Sequence, residues 1–196
     1  MNDPFNAVRA FEAALAEYTG SKFAVSCTSC TDALLLCCAY LKVKEVEIPR
    51  YTYVGVGQAI LNAGGKVTFR DEDWQGDYEL KPHGIYDAAR RFRAGMHRPG
   101  TLTCVSFHAS KILGHSDGGA VLLDGEDAAA MLRRMRFDGR QEGVHPRHDT
   151  FVRGFHSYMA PSTAAALHRK LMHMPRENPD LPRSDYSDLS TAEIFK

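Results

Sequence analysis

Lys111 stands in TLTCVSFHASKILGHSDGGAVLLDG, where a strand-like run delivers Ser106, a short turn follows, and a glycine-rich segment leads into a second strand. A lysine held at a strand end beside hydroxyls and glycines suits Schiff-base chemistry, because partial desolvation lowers its proton affinity and frees the amine to attack an aldehyde. Taken alone, it reads first as a surface lysine in a loop. In GIYDAARRF, Asp87 closes a short apolar run. A carboxylate at the carboxyl end of a strand can pair with the protonated ring nitrogen of a heterocyclic cofactor, and a helix cap is the plainer alternative. FAVSCTSCTDALLL reads as a strand, a turn of small residues and a helix beginning near Thr31. The exposed N–H groups of such a helix start make an anion site, to which Ser29 and Thr31 add hydroxyls; a capped helix without ligand has the same pattern. In IPRYTYVGVGQAI, Tyr51 and Tyr53 follow a strand end and could stack on a flat ring, although aromatic residues there also serve as core.

These segments need a scaffold that presents them together. Runs with the Val/Ile content of a buried sheet predict strands at Phe23–Cys27, Val46–Pro49, Lys66–Asp71, Gly84–Asp87, Thr101–Phe107 and Gly119–Leu123. Apolar residues spaced three and four apart predict helices over 5–18, 31–42, 54–63, 125–137 and 160–173. Alternation of the two predicts an α/β class, with parallel strands joined by crossover helices.

Composition bounds the rest. At 196 residues, 44% hydrophobic and 24% charged, the chain is expected to fold as one domain. Lys+Arg and Asp+Glu balance at 24 each, so bulk charge gives no drive toward nucleic acid or membrane surfaces. No apolar run approaches the roughly 20 residues of a membrane span, and MNDPFNAVRAFEAALAEY reads as an amphipathic helix without a signal-peptide region, so a cytoplasmic location is expected. Five cysteines, Cys27, Cys30, Cys37, Cys38 and Cys104, lie among apolar residues and are expected to be free thiols. Cys27-x-x-Cys30 between a strand and a helix is also the placement of a redox pair, and with Cys37 and Cys38 suggests zinc; apolar packing accounts for more of the surrounding sequence. The nine histidines, including His145, His148, His168 and His173, lack a compact ligand spacing, and no metal is expected. Arginines cluster at Arg90, Arg91 and Arg93 and again at Arg133, Arg134, Arg136 and Arg140, either as seats for a carboxylate or phosphate or, for the second group, as a solvated helix face. Residues 1–176 are expected to form the compact domain, and the proline-rich, acidic 177–196 segment an extended or disordered tail.

Individually these signals are weak; their order is specific. The succession FEAALAEYTGSKFAVSCTSCTDALLL, IPRYTYVGVGQAILNAGGKVTFRDED, YDAARR, SFHASKILGHSDGGAV and GFHSYMAPSTAAAL resembles the DegT/StrS group of fold-type I pyridoxal 5′-phosphate (PLP) enzymes, chiefly sugar aminotransferases, in register from about residue 10 to 170. The resemblance implies a three-layer large domain on a mostly parallel central sheet, with PLP as cofactor. It implies that Lys111 carries the cofactor as an imine and serves as the acid/base, and that Asp87 binds the pyridine nitrogen, making these two the catalytic residues. Tyr53 would stack on the ring with Ala89 behind it, and Ser29, Cys30, Thr31 and Ser106 would hold the phosphate. A homodimer with shared active sites is implied as well.

The chain also departs from that pattern. Cys30 stands where the family has Gly in the phosphate turn, and Arg90 where it commonly has Gln, placed for the cofactor's phenolic oxygen or a substrate carboxylate. His156 replaces an Asn that reaches the neighbouring subunit's cofactor phosphate, and Tyr158 replaces an Arg. The strand and helix that precede the Asp-bearing strand are compressed to WQGDYELKPHG, and the family's C-terminal small domain has no counterpart, so a shortened member is expected. Amino transfer to a keto-sugar or a related, nucleotide-linked substrate is the reaction the resemblance implies. Decarboxylation of a free or nucleobase-attached amino acid and a catalytically inactive interaction protein are the alternatives.

Overall fold

Val8, Phe11 and Leu15, three and four residues apart, form the buried stripe of the first helix, α1 (Asn6–Thr19), which ends where Gly20 turns left-handed. The computed structural model describes Asp3 and residues 5–196; Met1, Asn2 and Pro4, at the start of the expected domain, lie outside the described residues. The chain continues through β1 (Phe23–Cys27), α2 (Cys30–Leu41), β2 (Glu45–Pro49), α3 (Val54–Ala63), β3 (Lys66–Arg70), β4 (Tyr78–Leu80), β5 (Ile85–Asp87), β6 (Leu102–Ser106), β7 (Gly119–Leu123), α4 (Glu126–Arg136) and α5 (Pro161–Leu171).

Five strands form one sheet in the order β1-β7-β6-β5-β4, and β2 pairs with β3 in a second. The two join edge to edge where Glu47 and Lys81 exchange backbone hydrogen bonds of 2.9 and 3.0 Å. Strand β7 explains the layering. Its five residues are all buried, Val121 and Leu123 in one core with α2, α3 and α4, Ala120 and Leu122 in the other with α1 and α5. A strand covered on both faces must be apolar throughout, as GAVLL is.

The sheet is mixed, which corrects the expectation of a mostly parallel one. β5–β6 and β2–β3 are parallel, whereas β1–β7, β6–β7 and β4–β5 are antiparallel. The reason for β4–β5 lies in the compressed segment. A parallel pair needs a crossover of a dozen or more residues, and only KPHG separates Leu80 from Ile85, so the connection can only be a hairpin. The three-residue β4 was absent from the sequence reading.

The segment after α5 runs extended and is packed against the rest of the chain. The Asn178 amide donates to Phe92 O at 3.0 Å, the Leu181 N–H to Arg90 O at 2.9 Å, and the Arg91 guanidinium grips Asp180 through Nε and Nη2. Further on, the Leu189 N–H donates to Arg50 O at 2.9 Å, the Leu189 side chain is buried, and the Phe195 ring lies where a side chain on Gly57 would be, edge-on to Phe69.

Candidate active site

The carboxyl ends of β1, β2, β5 and β6 open onto one cavity of about 360 Å3. Each strand delivers its residue at or just past its last position. β1 leads into Ser29, which caps α2 by accepting the Asp32 N–H at 3.0 Å. Capping leaves the first-turn amides of α2, those of Cys30 and Thr31 among them, without helical partners and at the positive end of its dipole. The close approach of the Gly118–Gly119 strand start explains the glycines: a Cβ on Gly119 would lie 2.3–2.4 Å from the backbone of Ser29 and Cys30. The Ser29 hydroxyl also donates to Asp32 Oδ2 at 2.7 Å, so the unspent donors at this helix start are backbone amides and the Thr31 hydroxyl.

Asp87 ends β5 and is 6% exposed. Tyr78 Oη donates to its Oδ2 at 2.9 Å and the Ala89 N–H to its Oδ1 at 2.9 Å, and the Cys30 thiol lies 3.9 Å from Oδ1. No ion pair to Asp87 forms among the described residues. Burial pushes this carboxyl above the usual carboxylate range, against the opposing pull of the two hydrogen bonds and of Lys111. Tyr78 is in turn 2.6 Å from Thr52 Oγ1, completing a buried Thr52–Tyr78–Asp87 chain.

Ser106 ends β6, and the following turn is locked by the Lys111 N–H donating to His108 O at 2.8 Å. This sets the half-buried Lys111 on the cavity wall. Burial, then the neighbouring Arg90 guanidinium, lowers the proton affinity of its amine below the ordinary lysine value, with Asp87 opposing. The Arg90 Nε is itself buried without a hydrogen-bond partner. A buried carboxylate without a cationic partner, an amine of lowered proton affinity and an unpaired guanidinium share one cavity, and a ligand with a cationic ring nitrogen, an aldehyde and anionic groups would satisfy all three.

Ser29, Cys30, Thr31, Tyr53, Asp87, Ala89, Arg90, Ser106 and Lys111 are thus brought to one place. Tyr53 stands at the start of α3, 54% exposed, its ring filling the space a side chain on Gly55 would take. His156 is not in this cavity. Its ring is largely exposed, 3.1 Å from Asp138 Oδ1 and edge-on to Tyr158. The second arginine cluster is no anion seat either, because its guanidiniums are already engaged: Arg133 and Arg136 with Glu12, Arg134 with Asp149, Arg140 with Asp138. Thr52, Trp74, His108, Ser184 and Tyr186 also line the cavity and were missed. Of these, Trp74 was legible as a large apolar residue stranded in the compressed segment. All five thiols are free and buried, and burial raises those of Cys27, Cys30, Cys38 and Cys104; among the described residues no three His, Cys, Asp or Glu side chains gather for a metal.

The sequence model of the DegT/DnrJ/EryC1/StrS aminotransferase family matches residues 3–97 and 93–180. The chain belongs to this family. Among curated relatives it is 28% identical to UDP-N-acetyl-3-dehydro-alpha-D-glucosamine 3-aminotransferase of Acidithiobacillus ferrooxidans over 88% of this chain and 58% of that protein. It is 27% identical to UDP-2-acetamido-2-deoxy-3-oxo-D-glucuronate aminotransferase of Pseudomonas aeruginosa over 70% of this chain and 51% of that one. The chain therefore spans little more than half the length of these relatives. Among solved structures, a DegT DnrJ EryC1 StrS aminotransferase from Brucella abortus superposes with a TM-score of 0.72 at 22% identity, covering 86% of this chain and 58% of that one. 3-Amino-5-hydroxybenzoic acid synthase superposes with a TM-score of 0.74 at 19% identity, covering 86% and 56%. The fold is that of the family's large α/β domain, with the β4–β5 hairpin in its compressed segment. No described helix is long and apolar enough to cross a membrane.

Proposed function

We propose that this chain is a PLP-dependent aminotransferase acting on a nucleotide-linked keto-sugar. The observation that carries the reading is the pairing, in one cavity, of a buried Asp87 that lacks a cationic partner with a Lys111 whose amine is partly desolvated. Family membership and the nucleotide-sugar aminotransferases among its relatives support it.

PLP, when bound, supplies an aldehyde for amine capture and a pyridinium that withdraws electrons from the substrate carbon. Asp87 would accept the ring N–H and hold it protonated, a role suited to a buried carboxylate that lines the cavity without a cationic partner. Lys111 Nζ would hold the cofactor at its aldehyde and would take the proton from the substrate carbon and return it. The α2 amides with Thr31 and Ser106 would hold the phosphate, and Tyr53 and Ala89 would flank the ring. Arg90 is assigned to an anion beside Lys111. The exposed His156, with Tyr158, suits an interface in a homodimer, and a cytoplasmic location goes with nucleotide-sugar substrates.

The purified chain mixed with PLP should develop a visible absorption band that Lys111→Ala lacks, and borohydride should bleach that band while fixing the cofactor onto the Lys111 peptide. A chain that stays colourless would overturn the proposal. Incubation with carboxyl-labelled amino acids should release keto acid; labelled carbon dioxide instead would make the reaction a decarboxylation.

A further inference from the structure

The family match ends at residue 180, yet two residues beyond it, Ser184 and Tyr186, line the same cavity as Lys111. The segment that carries them is fastened on both sides. Before it stand the Arg91–Asp180 ion pair and the Leu181–Arg90 backbone bond; after it stand the Arg50–Asp188 ion pair at 3.7 Å and the buried Leu189. Between these anchors the chain is extended and its exposure alternates: Arg183, Asp185 and Ser187 face solvent, while Ser184, Tyr186 and Asp188 turn inward. A period of two is the pattern of an extended chain laid on a surface, one side in and one side out. The inward Tyr186 ring stacks on Trp74 at 6.3 Å and 16°. The hydroxyls of Ser184 and Tyr186 make no hydrogen bond within the described residues.

We propose that residues 182–187 form the substrate-side wall of the cavity, with Tyr186 and Ser184 as specificity-determining residues that contact the sugar ring of the acceptor. The inference rests on the aminotransferase reading above. Size supports it first. Ligand pockets run from about 300 to 1,000 Å3, and 360 Å3 that must also hold a cofactor leaves the rest of a nucleotide sugar to pass along the cavity wall. Chemistry supports it next. An aromatic pair offers an apolar face, and two unspent hydroxyls beside it offer donors and acceptors, the combination that a ring with C–H faces and hydroxyl edges requires. The wall residues lie past the segment that the family model matches.

The experiment uses the full chain loaded with PLP and a panel of UDP-, GDP- and dTDP-linked hexoses, with affinity read by calorimetry and strap exposure by amide hydrogen exchange. At least one sugar should bind and slow exchange in residues 182–187. Tyr186→Ala should weaken that binding about tenfold and Ser184→Ala by a smaller factor, Tyr186→Phe should fall between Tyr186→Ala and the parent, and PLP uptake should stay within twofold in all three. PLP uptake with no sugar bound, or with equal binding by Tyr186→Ala and no protection of the strap, would overturn this inference and leave the cofactor reading standing. Failure of the parent chain to take up PLP would overturn both.

Discussion

Tyr78 Oη donates to Asp87 Oδ2 at 2.9 Å across the β4–β5 hairpin, pairing a strand absent from the sequence reading with the residue proposed to hold the cofactor's ring nitrogen. Residues 78 and 87 are register partners only because the connection is short enough to fold β4 back. Tyr78→Phe keeps the ring against Trp74 and removes the donor. A hydrogen bond to a charged group contributes about 1.5–3 kcal/mol, so PLP affinity should fall by about one to two orders of magnitude. Without the donor the Asp87 carboxyl rises further and protonates at a higher pH, so the variant's loss should be largest toward acid pH. Spectral titration of PLP between pH 5 and 8 checks this; parallel curves for both proteins would contradict it.

The cofactor-free protein should be stabilised by Asp87→Asn. Burial raises this carboxyl above its unfolded value, so its stability contribution is full below the ordinary carboxylate range and is lost as pH rises through the raised value. The amide removes the buried charge at nearly the same shape. At pH 7 a gain of about 1 kcal/mol would raise Tm by roughly 2–4 °C for a chain of this size, and the gain should vanish in acid. PLP uptake should be lost in the same variant. Melting curves at pH 4 and pH 7 decide it.

Arg90→Ala and Arg134→Ala should separate cleanly. Arg90 helps hold the Lys111 amine below the ordinary lysine range, so its removal raises the amine's proton affinity and shifts the pH profile of kcat/KM upward. Arg134, bound to Asp149 at 3.3 Å, should give unchanged turnover and a stability loss of no more than about 1 kcal/mol. Equal effects on turnover would place the reactive anion away from Arg90.

Gly119→Ala should abolish PLP uptake and destabilise the fold, because its Cβ meets Ser29 and Cys30 backbone that cannot move without shifting the α2 N-terminus. Gly64→Ala is the control. It has open space around it and a left-handed φ of +92°, so only backbone strain of roughly 1–2 kcal/mol is expected, with PLP uptake retained. Comparable cofactor loss in both would refute the close-approach argument.

The site was legible in sequence because its residues sit at strand ends and helix starts, where a periodic run stops and a small polar or charged residue follows: Ser29 after FAVSC, Asp87 after GIY, Ser106 after TLTCV. The helices were legible for a related reason, since their apolar stripes pay no attention to what covers them. Strand direction was not, because it depends on the length of a connection, four residues between Leu80 and Ile85, rather than on the strands. How the terminal segment packs was not legible, because Leu181, Tyr186 and Leu189 are spaced too widely to form a periodic stripe. Tyr186 stacks on Trp74 and Leu189 is buried against a surface already built, contacts of which composition carries no record. His156 was placed by resemblance alone, and its own chain gives it Asp138 instead.

Strand β1 bears on how the chain reaches this fold. It pairs with one neighbour in its sheet, β7, with Phe23 opposite Leu123. During synthesis at about 5–20 residues per second, β1 emerges roughly 5–20 s before the strand that completes it. Throughout that interval its backbone edge and the Ala24 and Val25 side chains stand uncovered by β7, with α1 and α2 as the nearest shields. Long-range closure of this kind folds slowly and exposes an edge that can pair with other chains. Yield of soluble protein should therefore be governed by how long β1 waits for β7.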